Sequence, residues 1–102
     1  MSVAIAAGSS CPSDWKDHPD QEGQIFVQVA TGLEHLEAAP VYVCSLAGDS
    51  QHWVAEGASA IYHPSKSGFR INLRFPPGGH KLTAKIACEN NWRVTWAAFA
   101  SE

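Results

Sequence analysis

The residues best suited to chemistry lie in the connection Asp49-Ser50-Gln51-His52-Trp53. Five consecutive positions there supply a carboxylate, a hydroxyl, an amide, an imidazole and an indole. A planar aromatic face beside fixed donors and acceptors suits a polyol such as a sugar, whose ring has a C–H-rich side and a hydroxyl-bearing rim. The competing reading is that Trp53 opens the next strand and packs in the core, as tryptophans mostly do. A second candidate is the long loop Pro76 to Asn91, with His80, Lys81, Asn90 and Asn91, because loops on a rigid scaffold concentrate function.

Catalytic machinery is not visible. The histidines His18, His35, His52, His63 and His80 are dispersed, without H-E-x-x-H or related ligand spacing. There is no Gly-x-Ser-x-Gly elbow and no phosphate-cradling glycine loop. Cys11, Cys44 and Cys88 form no C-x-x-C pair, which argues against structural zinc. They allow at most one intramolecular disulfide, or serve as three small buried hydrophobes. We therefore expect no catalytic residue, no metal ligand and no cofactor.

The chain of 102 residues fits one domain, spanning 1–102, and carries a net charge of −3 with only 17% charged residues. Its seven basic residues are scattered, which disfavours nucleic acid and anionic membrane surfaces as partners. No stretch has the apolar length to span a bilayer. Met1 to Gly8 only faintly resembles a signal h-region, and the compartment stays open between the cytosol and a longer secreted precursor.

The elements that must hold these loops read as strands. Phe69, Ile71, Leu73 and Phe75 alternate with Arg70, Asn72 and Arg74, the period of a half-buried antiparallel strand. Arg70, Asn72 and Arg74 form a polar stripe, facing solvent, a ligand or an acidic residue of a neighbouring subunit such as Glu34 or Glu37. Gln24 to Val29, Pro40 to Leu46, a run through Ser59 to Tyr62, and Trp92 to Phe99 are further strands, with Trp92, Val94 and Trp96 inward. Leu82 to Asn91 reads as a short strand or irregular, and no helix of useful length is predicted. Residues 1–24 are expected to be largely irregular, since 8 to 24 are rich in turn formers. The expected architecture is an all-β antiparallel sandwich.

Three segments in order resemble the H-type lectin domain of the snail agglutinins and the discoidin C-terminal domain. They are Pro40-Val41-Tyr42-Val43-Cys44-Ser45-Leu46, Ile61 to Phe69 with its Tyr-x-x-Ser-x-x-Gly-Phe pattern, and Trp92-Arg93-Val94-Thr95-Trp96. The resemblance implies a six-stranded antiparallel β-sandwich, a homotrimer, and metal-independent binding of galactose-type or N-acetylgalactosamine glycans near subunit boundaries. Two family features differ: an arginine falls near Glu56, and a Trp-His pair aligns near Pro76-Pro77. Asp49, His52, Trp53, His80 and Asn91 are the expected ligand contacts. The alternative is a non-catalytic trimerisation or protein-interaction domain that has lost its sugar site.

Overall fold

The computed structural model describes residues 2–101. Its organising strand is the one with the cleanest alternation, Gly68–Arg74 (β6), whose Phe69, Ile71 and Leu73 are fully buried. β6 pairs antiparallel with Gln24–Ala30 (β3), matching Ile25 to Leu73 and Val27 to Ile71, so the two strands pool one apolar face. Burying six large side chains this way stabilises the sheet by roughly 2 kcal/mol each. Lys16–Asp17 (β2) and Ile61–Tyr62 (β5) flank them, giving a four-stranded sheet in the order β2-β3-β6-β5.

The opposing sheet has three strands in the order β1-β7-β4, namely Ser2–Ser9 (β1), Arg93–Ser101 (β7) and Val41–Ala47 (β4). Tyr42, Val94 and Ala98 point inward and meet the first sheet, with the Tyr42 and Phe69 ring centroids 4.8 Å apart. The Tyr42 hydroxyl lies beyond the core, 2.7 Å from Ser65 O, to which it donates, and 2.7 Å from Thr31 Oγ1. These bonds fasten β4 to the β5–β6 hairpin, since a buried hydroxyl requires a partner. The result is an all-β, sandwich-like arrangement of two antiparallel sheets.

Strands β3, β4, β6 and β7 fall where the alternation places them, while three other regions differ from expectation. Residues 1–24 are not largely irregular: Ser2–Ser9 is a full strand beside β7, Pro12–Asp14 a 3-10 turn, and Lys16–Asp17 a strand. Strand β1 is composed almost wholly of small or apolar residues, so its sequence has no two-residue period; a bulge between Ala4 and Ala6 also breaks its register. The run before Tyr62 contributes only Ile61–Tyr62, plus one isolated bridge from Glu56 to Arg74, because Gly57 at φ 100 turns the chain between them. Finally, Ala84–Glu89 is a short helix (α1) rather than a strand. Thr83 Oγ1 accepts from Ile86 N at 3.2 Å, and Asp17 Oδ1 accepts from Ala84 N at 2.8 Å, so two free amides of its first turn are satisfied. No described helix is long and apolar enough to cross a membrane.

Candidate functional site

The loop end of the sandwich is built on Trp92, which is fully buried just before β7. β4 finishes at Ala47, and Gly48 then passes over the indole: a Cβ at this position would lie 2.7 Å from Trp92 Cδ1. Only glycine allows that approach. The Trp92 Nε1 donates to Ser50 O at 2.8 Å, pinning the turn that follows. Gln51 adopts the left-handed conformation, φ 65, and opens a 3-10 turn over His52–Val54. That turn directs Trp53 away from the protein, leaving it 81% exposed. Trp53 is therefore no core residue and no strand start.

Asp49 is held from the other side. Its N–H donates to Asn90 O at 2.9 Å, and its Oδ2 accepts from Asn91 Nδ2 at 2.6 Å. Asn91 ends α1 in the left-handed conformation, φ 56, which asparagine tolerates better than most residues. Its backbone N–H donates to Cys88 O, and Trp92 N donates to Ala87 O. So Asp49 and Asn91, 42 residues apart in sequence, present a paired carboxylate and amide at the surface.

His52 folds back toward Gly48, its ring 3.3 Å from where a Cβ on that glycine would stand. Its Nδ1 is enclosed and has no hydrogen-bond partner among the described residues. Only the other ring nitrogen can meet a ligand from solvent. His80 stands apart from this cluster, in the exposed loop after β6. It lines a hollow of about 410 Å³ whose facing wall includes Gln51 and Val54, with Phe75 at its base. The structure thus bonds Asp49 to Asn91, keeps His52 and Trp53 on the same loop as Asp49, and places His80 in a hollow lined by that loop's Gln51 and Val54.

No protein-family model, curated protein or solved structure matches this chain. The functional reading accordingly rests on the geometry of its own residues.

Next to His80, the Lys81 ammonium lies 2.7 Å from Glu22 Oε1. Its hydrogen bond and charge hold the Glu22 carboxyl below the usual value. The pair is fully solvated and anchors the loop weakly. The three cysteines are unpaired, with Cys11 and Cys88 exposed. Cys44 is half-buried within β4, its Sγ 3.5 Å from Ala58 O, and burial pushes its thiol pKa up. The reading of three buried cysteines therefore holds only in part for Cys44. Among the described residues, no group of three or more His, Cys, Asp or Glu side chains converges on a point that could hold a metal ion.

Sequence reasoning missed a second polar concavity, of about 350 Å³, on the outward face of the four-stranded sheet. Tyr62, Gln24, Asn72 and the Arg74–Glu56 ion pair, 3.0 Å apart, form its walls. The signal was the phase of β3: Gln24, Phe26 and Gln28 share the face of Arg70, Asn72 and Arg74 once the strands are paired.

Proposed function

We propose that the chain is a lectin-like carbohydrate-binding module, metal-independent and not an enzyme, with its primary site at the loop end of the sandwich. One observation carries the reading: Trp53 is 81% exposed on the same short loop as Asp49, whose carboxylate is bonded to Asn91. An indole held in water by a pinned turn gives up its burial energy, roughly 2 kcal/mol or more, and gains nothing from packing. A ligand face is the natural compensation. The indole would cover the C–H side of a sugar ring, Asp49 would accept from hydroxyls, and the free amide N–H of Asn91 would donate.

The H-type lectin resemblance supplies the sugar class to try first, galactosides and N-acetylgalactosamine, and the homotrimer as the assembly that would give multivalency. A chemical asymmetry between the two sheets favours self-association. The strands of the three-stranded sheet contain a single charged residue, Arg93 at the end of β7. Val41 and Val43 face outward at 61% and 52% exposure, in register with Phe99 and Ala97. An apolar face of this kind is characteristic of a subunit interface. The same face is the specific support for the second reading, an assembly domain without a sugar site.

The deciding experiment combines a glycan array, calorimetry on the best ligand and light scattering on the free protein. The expected result is an oligomer binding a neutral glycan with micromolar to millimolar intrinsic affinity, strengthened by avidity on a surface. An oligomer silent across galactosides, amino sugars and polysaccharides selects the assembly reading. A monomer without glycan binding removes both.

A further inference from the structure

The outward face of the four-stranded sheet carries cations, amides and two aromatic rings in register. Strand pairing places Lys16, Phe26 and Asn72 in one row, and Gln28, Arg70 and Tyr62 in the next. The Arg70 guanidinium carbon lies over the Phe26 ring, 4.0 Å from its centroid. Its Nε donates to Asn72 Oδ1 at 3.1 Å. A stacked, hydrogen-bonded arginine is held in one orientation before any ligand arrives. Its remaining N–H groups have no partner among the described residues. Lys16, paired with Phe26 from the β2 side, is likewise without an acidic partner, since the described ion pairs are Arg74–Glu56 and Lys81–Glu22.

Hollows flank this Phe26–Arg70 ridge on both sides. One, of about 350 Å³, carries the ring of Tyr62, itself 47% exposed, with Gln24 and Asn72. The other, of about 540 Å³, opens at the edge of β3, where Lys16, Phe26 and Gln28 meet the Ser9–Asp14 segment; its one carboxylate, Asp14, accepts from Cys11 N. Four strands at the usual spacing make a platform about 14 Å across. The surface therefore alternates cations, amides and aromatic rings along a span longer than one sugar.

We propose that this face is a second carbohydrate surface, for an acidic polysaccharide bearing one carboxylate per ring, a polyuronate. The Arg70 fork matches a carboxylate with two parallel N–H···O bonds. Gln24, Gln28 and Asn72 serve the hydroxyls between charges, and Tyr62 stacks on a ring. Two unpaired cations in a chain of net charge −3 favour an anionic ligand over a neutral one. Their placement on β2 and β6, with β3 between them, suits sparse carboxylates better than the dense charge of a sulfated chain. The inference is independent of the Trp53 cluster, which lies on the connecting loops.

The test is titration of the full chain with an oligogalacturonate, its fully methyl-esterified form and polyglutamate, at low and high salt. The expected result is binding of the free acid that weakens with salt and falls about tenfold or more for Arg70→Met. Tyr62→Ala and Lys16→Gln lie at the edges of the sheet and act as second variants should Arg70→Met fold poorly; each should also weaken binding. Trp53→Ala should leave this binding unchanged while weakening any neutral-glycan binding about 5–30-fold, so the two sites fail separately. The proposal is overturned by no binding of the free acid, by equal binding of the methyl ester or of polyglutamate, or by wild-type affinity in Tyr62→Ala and Lys16→Gln.

Discussion

Replacing Trp53 with alanine separates the energetics of the fold from those of the site. At 81% exposure the indole contributes little packing, so the substitution should behave as a surface change, within about 0.5 kcal/mol of wild-type stability. For a domain of this size that is a shift of about 2–4 °C in the thermal midpoint. Ligand binding should respond far more. A sugar covering one face of the ring removes roughly 100 Å² of aromatic surface from water, worth about 2.5 kcal/mol. Fixing the side chain on binding costs about 0.5–1.5 kcal/mol, leaving about 1–2 kcal/mol. That converts to about 5–30-fold in affinity. Calorimetry with the best neutral glycan, beside a thermal melt of the same sample, reads both quantities. Unchanged affinity in a folded Trp53→Ala protein would refute the site; a loss of ten degrees or more in the midpoint would refute the claim that Trp53 stands free of the core.

Other perturbations probe how the site is held. Gly68→Ala should be among the most damaging single changes, several kcal/mol in chemical denaturation, because a Cβ there collides with the backbone carbonyl of Val29 across the β3–β6 pair at a φ of 152. Tyr42→Phe removes the hydroxyl shared by Ser65 O and Thr31 Oγ1 and should cost about 1–2 kcal/mol, measured the same way. Timed alkylation followed by peptide mass analysis should label Cys11 and Cys88 first. Cys44 should lag at mildly alkaline pH, since burial raises its thiol pKa and lowers its thiolate fraction. Lys81→Met should let the Glu22 carboxyl titrate at a higher pH than in wild type, followed by NMR. In linkage terms that pair acts above the unfolded carboxyl pKa and is lost as pH falls through the depressed one, with little effect on stability for so exposed a group.

How far the sequence reveals the structure depends on whether one face of an element is buried. β6 and β3 were legible because their inward residues are large and apolar and their outward ones polar. β1 was not, because Val3 and Ile5 remain exposed and Ala4 and Ala7 give no contrast between faces. The helix Ala84–Glu89 was missed because six residues carry too little periodicity, and one of its two caps, Asp17, lies far away in sequence. The cluster of Asp49, His52 and Trp53 was visible as a composition, but the outward turn of Trp53 was not. It follows from Gln51 at positive φ and from the bond between Trp92 and Ser50, neither of which leaves a local signature. The platform of Tyr62, Phe26 and Arg70 required strand register, which periodicity alone does not supply.

The rigidity of the loop end has one source, and it bears on how a ligand would be met. Trp92 touches the site three times over: its indole lies under Gly48, its Nε1 holds Ser50 O, and its neighbour Asn91 holds Asp49. Its own carbonyl accepts from Trp15 Nε1 at 2.9 Å, and its ring meets Phe75 edge-on at 6.0 Å. A single core residue thus ties the β4–β5 connection, the end of α1 and the start of β7 into one body. Ordering these loops is already achieved by folding, so a ligand need not supply that entropy, and modest polar contacts can yield measurable affinity. The loop carrying His80 is anchored at its ends by the buried Phe75 and Leu82, and between them its one described side-chain bond to the body is the exposed Lys81–Glu22 bridge. The geometry therefore divides the labour: the Asp49–Asn91 pair is held fixed, Trp53 stands outward on the same pinned turn, and the His80 loop lines the hollow beside Gln51 and Val54.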